Sequence, residues 1–456
     1  MSVRRCIRVG IGSLVLVTVA VWLGEAAAIA YDGELDPGFG SGGVLGIAMG
    51  STGDDGWGRR CAVQQDGMLV IAGIVERLSE DVGVTRVTPI GSLDTFGAGG
   101  KVYWDSGWGD DGGWDVAVQN DGKIVVVGTS RLESSNHLTV LRFETNGAPD
   151  TTFGYNGYSI INFGVSSEGR AVAIQPDGKI VVAGHTSTSE VAVARLDAVG
   201  SLDSTFGTGG FFVLDDSMPL LGDRMIWDLD IFYGTVVVAG SIFVEAFPPF
   251  VPEDRTNTYL LIIDSDGLQV VEKSFNLLGG DSEARSVAVQ PDGKIVVAGV
   301  SEVGSSIVVA RFSGINLDTS FSGDGIYTRD FGEGDDEGWD VALQRDGKIV
   351  VAGSATVDSY LQAVVLRLNS SGSLDKFGPE VAGGNAQGYN AFRFGTESRA
   401  LSVALTNRAT LMVAGDAVAT NGRAVFFAAQ LKLPSFEIFA DDFESGGFSM
   451  WSSKVL

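Results

Sequence analysis

Acidic side chains with tryptophans close behind them recur along this chain at a spacing that could bring them to one place. The candidate ligand-binding residues of this kind are Asp55, Trp57, Asp111, Trp114, Glu168, Glu283, Asp336, Glu337 and Trp339. Their carboxylates could accept hydrogen bonds from a carbohydrate or a peptide, and the indoles could provide flat stacking surfaces. Two carboxylates across one cleft could instead act as acid and base in hydrolysis. Acidic residues that only cap surface loops would give the same pattern, so no catalytic residue is assigned.

The same carboxylates raise the question of a metal site. Hard cations such as Ca²⁺ bind several carboxylate and carbonyl oxygens, which makes Asp110 with Asp111 and Asp335 with Asp336 the candidate ligands. The D-x-D-x-D-G spacing of a calcium loop is absent from the sequence. The two histidines, His137 and His185, are too few for a histidine-rich centre. We therefore predict no cofactor, with Ca²⁺ as the alternative.

Sequence signatures of the common hydrolases and nucleotide-binding enzymes are missing. The chain contains no G-x-S-x-G elbow, no H-E-x-x-H, no phosphate-binding loop and no S-x-D-x-G-x-T-W box. This favours a protein that binds over one that catalyses, and it leaves the enzyme class open.

One repeated segment must position these residues. The stretch from Ala173 to Gly184 reads AIQPDGKIVVAG, close copies end at Gly73, Gly128, Gly299 and Gly353, and weaker copies end at Gly240 and Gly415. The Pro-Asp-Gly run favours a tight turn, because Pro presets φ and Gly accepts a positive φ. The apolar run that follows the turn predicts a strand covered on both faces.

The spacing of the copies indicates the architecture. Successive copies are 54 to 62 residues apart, a period typical of propeller blades with room for four short strands, which we name A to D in chain order. A lone D-like strand at 42–49 precedes the first copy, and the last copy lacks strand D. We predict an all-β, seven-bladed propeller of four-stranded antiparallel blades, closed by the N-terminal strand. The acidic residues fall in the D–A loops, at one mouth of its central channel.

The repeat resembles a known family. The segments AVQPDGKIVVAG ending at Gly299, VARL at 193–196 and LDSTFGTGG at 202–210 are similar to the delta-60 repeat, a bacterial β-propeller family of unknown function. The resemblance covers roughly residues 35–433 and implies a fold and no activity. The end of the chain, 434–456, resembles the short DxFESG…W tail of some secreted bacterial proteins.

The N-terminus and the composition predict an exported protein. Residues 1–30 read as a signal peptide, with early arginines, an apolar run and an A-x-A site before Tyr31. We expect residues 31–433 to form the propeller of a secreted or cell-surface protein, with the periplasm as the alternative. Removal of the signal would leave Cys61 as a single cysteine, which excludes an internal disulfide. The net charge of −26 argues against nucleic acid as a partner.

The resulting functional hypothesis is a non-enzymatic binding or interaction scaffold that uses its acidic loop face. Its partner would be a protein or a carbohydrate, and the protein would be a monomer that does not span the membrane. A proline-rich B–C insertion at 245–254 adds Phe247 and Phe250 to that face as contact residues. One alternative is a carboxylate-dependent hydrolase or lyase acting on polysaccharide in the propeller mouth. The other is a structural envelope protein without a small-ligand site.

Overall fold

The computed structural model describes residues 32–50, 54–214, 222–246, 253–302, 305–381, 385–407 and 410–433. The predicted signal peptide (1–30), the predicted tail (434–456), Phe247 and Phe250 lie outside the described residues. Within these ranges all regular structure is β, and the strands form seven blades of antiparallel strands in the order A-B-C-D. No helix in this part of the chain could span a membrane.

The strands of the first four blades follow one another along the chain. Blade 1 contains Gly56–Val63, Leu69–Glu76, Glu80–Val87 and Lys101–Trp104. Blade 2 contains Asp111–Val118, Ile124–Leu132, Ser135–Phe143 and Tyr158–Ile161. Blade 3 contains Ser167–Ile174, Ile180–Thr186, Val191–Leu196 and Phe211–Leu214. Blade 4 contains Asp223–Phe232, Thr235–Val244, Arg255–Ile263 and Val270–Phe275.

The last three blades complete the ring. Blade 5 contains Ser282–Val289, Lys294–Ser301, Ser306–Ser313 and Ile326–Arg329, with the short strand Asn316–Leu317 beside strand C. Blade 6 contains Glu333–Leu343, Ile349–Val357, Tyr360–Leu368 and Tyr389–Phe392, and its C–D connection includes the two-stranded pair Glu380–Val381 and Asn385–Ala386. Blade 7 contains Glu397–Leu405, Thr410–Val418, Ala424–Lys432 and the N-terminal strand Val44–Ile47.

The A strands line the centre, since strand A of each blade contacts strand A of the next, including blade 7 to blade 1. Closure is made by the N-terminal strand, which pairs antiparallel with strand C of blade 7 from Val44 opposite Ala429 to Ile47 opposite Phe426. Asp32 adds an ion pair to Arg367 of blade 6. The predicted seven-bladed fold is confirmed, and the first described strand belongs to the last blade.

The core lies between blades. Strand B of blade 3 is fully buried from Ile180 to Ala183, because neighbouring blades cover both of its faces. Val127 of blade 2 and Val182 of blade 3 belong to one buried cluster, as expected for sheets packed face to face. The uninterrupted apolar B strands of the repeat therefore reflect burial on two sides.

The repeated polar residues build a clamp on the face of the A–B and C–D turns. In blade 3, Arg195 Nε donates to Asp203 Oδ2 at 2.8 Å, and the Arg195 guanidinium lies 4.8 Å from the Phe206 ring centre. Arg195 Nη1 also donates to the Ser265 carbonyl of blade 4 at 2.7 Å. The clamp thus explains the Asp and Phe of the repeat as parts of an inter-blade joint.

Four other blades repeat this joint. Their arginine–aspartate pairs are Arg86 with Asp94, Arg142 with Asp150, Arg311 with Asp318, and Arg367 with Asp375. Blades 4 and 7, whose repeats are the weakest, have Ile262 and Gln430 at the arginine position of the register. We use "clamp" below for these five Arg–Asp–Phe units.

Candidate functional site

Every A strand contains a bulge at the same place. The pairing with strand B skips one residue, as between Gly113 and Asp115 in blade 2. A bulge re-aims the side chain of the extra residue, and here it directs that side chain into the channel. The seven bulged residues, which we call the ring, are Arg59, Trp114, Arg170, Trp227, Arg285, Trp339 and Leu401.

Arginines and tryptophans alternate around the ring and stack on one another. The Trp114 ring centre lies 5.2 Å from the Arg59 guanidinium and 4.0 Å from that of Arg170. Arg285 lies 3.9 Å from the ring centre of Trp339. Stacking of this kind holds a guanidinium in place without consuming its hydrogen-bond donors.

Arg60, the residue after the bulge in blade 1, closes the channel beneath the ring. Its Nη2 donates to the Arg285 carbonyl at 3.0 Å, and its Nη1 lies 2.8 Å from Asp340 Oδ1 and 3.2 Å from the Trp339 carbonyl. Because these partners belong to blades 5 and 6, the side chain crosses the axis from blade 1. The mouth is therefore the blind end of a plugged channel.

Three aspartates complete the plug and tie alternate blades to their neighbours. Asp115, Asp228 and Asp340 accept hydrogen bonds from the Val172, Val287 and Val403 amides at 2.8, 3.0 and 2.8 Å. Burial raises the pKa of Asp115 to about 7, against the opposing effect of Arg60. The sequence analysis missed this cluster. The signal for it is the Trp-Asp pair repeated in blades 2, 4 and 6.

The predicted glutamates do reach the mouth, where arginines of the ring bind them. Glu168 Oε2 lies 2.5 Å from Arg170 Nη2. Glu337 Oε1 and Glu283 Oε2 lie 2.9 and 3.4 Å from the Arg285 guanidinium. The mouth is thus a mixed surface of ion pairs, and its charge is more balanced than the loop sequence indicates.

Asp111 and Asp336 lie away from that surface and hold their own loops. Asp111 Oδ2 accepts a hydrogen bond from the Ser106 amide at 2.6 Å, and Asp336 Oδ2 accepts one from the Phe331 amide at 2.5 Å. Both side chains are buried, and burial raises the pKa of each to about 6. Asp55 has a related position, since its Oδ1 accepts a bond from the Ala424 amide at 2.9 Å.

The strand register shows that the predicted tryptophans occupy two different positions relative to the bulge. Trp114 and Trp339 are ring residues, whereas Trp57 lies opposite Ile74, two residues before the bulge. Trp227 belongs to the ring and was missed, because no acidic pair precedes it in the sequence. Counting residues from the D–A loop could not show which tryptophans lie at the bulge and which lie two residues before it. The strand pairing shows this directly.

The candidate metal ligands are not gathered into a cage. Asp110 and Asp335 are exposed, and Asp110 Oδ1 accepts a hydrogen bond from the Glu80 amide at 3.4 Å. Among the described residues no group of three or more His, Cys, Asp or Glu side chains could hold a metal ion. Cys61 lies 3.4 Å from Ser402 Oγ, and burial raises the pKa of its thiol to about 12, which makes it a poor nucleophile.

A polar cleft of about 180 Å³ opens on the mouth beside blades 4, 5 and 6. Its charged lining consists of Asp281, Glu283, Arg285, Glu302, Asp335 and Glu337. On the other side of the mouth, His185 lies 3.8 Å from Glu168, and burial lowers the pKa of its imidazole to about 4. The cleft beside blades 4, 5 and 6 is therefore predominantly acidic.

Comparison with solved structures returns propellers at low identity. Virginiamycin B lyase from Staphylococcus aureus is 9% identical, with 85% of this chain and 98% of that chain covered and a TM-score of 0.46. Semaphorin 2a from Drosophila is 9% identical, with 89% and 76% covered and a TM-score of 0.49. A protein of unknown function from Dyadobacter fermentans is 13% identical, with 88% and 100% covered and a TM-score of 0.43.

Sequence comparison identifies the repeats. No curated protein matches the chain. Four segments, residues 119–153, 175–206, 290–314 and 344–376, match a family described as a domain of unknown function (DUF5122) beta-propeller. Each segment spans the stretch from the A–B turn of one blade towards its C–D connection. These four segments are therefore similar to the repeats of a β-propeller family whose function is unknown.

Proposed function

We propose that the protein is an exported, non-enzymatic binding module that takes a protein or carbohydrate ligand at the mouth of its plugged channel. The observation that carries the proposal is the contrast in how the two faces use their arginines. The clamp arginines donate their hydrogen bonds to residues of the propeller itself, as Arg195 does to Asp203, Ser265 and Thr205. At the mouth, Arg59 makes no hydrogen bond or ion pair with any described residue, although it is partly buried. A partly buried guanidinium without hydrogen-bond partners is stabilised by a ligand that accepts its hydrogen bonds.

The geometry of the mouth also suits binding better than carboxylate catalysis. A general acid needs a carboxyl group that is protonated and reaches the substrate. Five carboxyl groups with a raised pKa are Asp111 and Asp336 under the loops, and Asp115, Asp228 and Asp230 in or below the plug. All five accept hydrogen bonds from backbone amides. The pKa is also raised for Asp81 and Asp416, which pair with Arg77 and Arg399, and for the exposed Glu80. The predicted site glutamates Glu168, Glu283 and Glu337 are paired with arginines.

A capture experiment tests the proposal. The purified protein is immobilised and exposed to envelope and medium fractions of its host, beside the variants Arg59→Gln and Arg345→Gln. Both substitutions remove one positive charge, but Arg59 lies in the ring and Arg345 in an A–B turn on the opposite face. We expect the native protein and Arg345→Gln to retain the same ligand, and Arg59→Gln to lose it.

Two outcomes would contradict the proposal. Equal retention by all three proteins would move the binding surface away from the mouth. A captured glycan that is shortened by the native protein would establish the enzymatic alternative instead. Chemical analysis of the ligand before and after incubation distinguishes binding from turnover.

A further inference from the structure

The three tryptophans of the ring differ in what their indole nitrogens meet. Trp339 Nε1 donates to Ser354 Oγ at 3.2 Å. Trp227 Nε1 is buried and has no hydrogen-bond partner among the described residues. Trp114 Nε1 is not buried and forms no hydrogen bond with the residues that the structure describes. Trp114 therefore presents a reachable donor to the mouth, which the other two tryptophans do not.

Gly112 exposes that donor. It lies two residues before Trp114, opposite Thr129, and the same position in blades 3, 4, 5 and 6 holds a large side chain: Glu168, Met225, Glu283 and Glu337. A Cβ added to Gly112 would lie 3.6 Å from Trp114 Nε1 and 3.4 Å from the end of Ile74. A side chain at this position would therefore cover the indole nitrogen without a backbone clash.

Two cations flank the opening. Arg59 and Arg170 stack on the Trp114 ring at 5.2 and 4.0 Å. Arg170 is paired with Glu168, whereas Arg59 has no partner within ion-pair distance in the described structure. Burial lowers the pKa of Arg59; among the neighbouring charges Asp416 has the largest effect and raises it, Arg170 and Arg399 lower it, and Glu80 raises it. None of these charges forms an ion pair with Arg59 in the described structure, so its guanidinium can still bind an anionic group.

We infer that this notch, formed by Gly112, Trp114, Arg59 and Arg170, binds the carboxylate or sulfate group of an acidic sugar. The inference rests on the proposed function and specifies its ligand class. An anionic group could accept from the Arg59 guanidinium and the Trp114 indole together, which an uncharged hydroxyl cannot do with similar strength. Trp57, which is half-buried at the position of blade 1 that corresponds to Gly112, would supply an aromatic surface for a pyranose ring.

The test is a calorimetric titration of the purified protein with trigalacturonate, a sulfated galactose trisaccharide and neutral trigalactose. We expect one or both acidic sugars to bind and the neutral sugar to bind at least about tenfold more weakly, since a charge-assisted hydrogen bond is lost. The preference between the two acidic sugars assigns the anion as carboxylate or sulfate. Quenching of tryptophan fluorescence gives a second signal for the same event.

Two variants with the same added charge locate the site. Gly112→Glu places in blade 2 the side chain that Glu337 provides in blade 6, and Met225→Glu places it at the equivalent position of blade 4. We expect Gly112→Glu to abolish binding of the acidic sugar and Met225→Glu to change it less than about threefold, because Met225 belongs to blade 4 and does not cover the Trp114 indole. Arg59→Gln, which adds no bulk, should weaken binding about tenfold if Gly112→Glu fails to fold.

The outcomes separate this inference from the proposed function. Equal binding of neutral and acidic sugars, or full binding by Gly112→Glu and Arg59→Gln, overturns the anion notch. Binding of a Glu-rich peptide in preference to both acidic sugars overturns the ligand class. If none of the three sugars binds while the ligand captured from host fractions still depends on Arg59, the acidic-sugar assignment fails and the binding module stands. If capture fails as well, both proposals fail.

Discussion

The two faces of this propeller use the same residue types in opposite ways. On the clamp face, Arg195 is bonded to Asp203, to a carbonyl of the next blade and to a threonine hydroxyl. On the mouth face, Arg59 and Arg170 lie against Trp114 and keep donors unused. The clamp repeats in five blades with small variation, whereas the residues around the ring vary between blades. Regular residues in this sequence therefore mark joints between blades, and variable residues mark the mouth, where we propose that a ligand binds.

The largest effect should come from opening the ring. Deletion of residues 32–50 removes Phe39, Val44, Ile47 and Met49, all of which are buried. Burial of each large apolar side chain contributes roughly 1.5–3 kcal/mol, so we expect the free energy of unfolding to fall by more than about 5 kcal/mol. Thermal unfolding followed by circular dichroism measures this. A truncated protein that melts like the intact chain would show that both faces are held together without closure.

The next largest effect should come from the plug, which lies inside the channel beneath the ring. Arg60→Met leaves Asp228 and Asp340 without their buried cation. We expect a loss of about 3–5 kcal/mol at neutral pH, because unpaired buried charges are costly. The loss should be smaller at pH 5, because burial raises the pKa of Asp115 and Asp228 and these groups can take up protons. Urea unfolding at both pH values measures it, and an equal loss at the two would show that packing alone explains the effect.

Removal of one clamp should have an intermediate effect. Arg195→Ala strips Asp203 of its bonded guanidinium, and both side chains are largely buried. The expected destabilisation is about 3 kcal/mol, measured by urea unfolding. Arg423→Ala, at the turn between strands B and C of blade 7, is the matched control and should change stability by less than about 0.5 kcal/mol. Similar losses in the two variants would remove the distinction between the clamp and an ordinary surface arginine.

The two faces should also respond to pH with opposite signs. The folded pKa of Asp111 and Asp336 is raised to about 6, so their protonated forms favour the folded state. Their contribution is present at pH 4 and is lost as the pH rises through about 6, at about 2 kcal/mol for each group. The pKa of the clamp residues Asp150, Asp203 and Asp318 is lowered, so their contribution holds above pH 4 and disappears in stronger acid.

Maximum stability is therefore expected near pH 5, between the two responses. Asp111→Asn should flatten the fall in stability from pH 5 to pH 8, because the amide does not titrate. Melting temperatures across this range measure the profile. A rise in stability from pH 5 to pH 8 in the native protein would contradict the assignment of the loop aspartates.

The smallest effect is expected for the ion pairs of the mouth. Arg285→Gln frees Glu283 and Glu337, whose side chains are 29% and 27% exposed and can be hydrated. We expect a loss of less than about 1 kcal/mol, as for partly exposed pairs elsewhere. A loss as large as that of Arg195→Ala in urea unfolding would mean that the mouth is a second structural joint, which would weaken its assignment as a binding surface.

Much of the fold and part of the site were predictable from the sequence. The Pro-Asp-Gly turns and apolar B strands predicted the blades, since both depend on local conformation and on burial of a repeated strand. The clamp could only be foreseen in part, because Phe206 was recognisable as a packing residue but its contact with Arg195 depends on how strands C and D pair. The acidic D–A loops correctly indicated the mouth and overstated its charge, since Arg170 and Arg285 come from the strands behind them.

The sequence by itself determined the number of blades, the turn chemistry and the closing strand, because those features are written in repeat spacing and in residues next to one another along the chain. Only the tertiary structure decided which side chains share the channel. A one-residue bulge brings Arg59, Trp114 and Arg170 into one ring from positions 55 and 56 residues apart. Arg60 meets Asp340 across the axis of the closed ring. Such contacts depend on strand register and on ring closure. Both bring together residues that are far apart in the sequence, so no local sequence pattern reveals them.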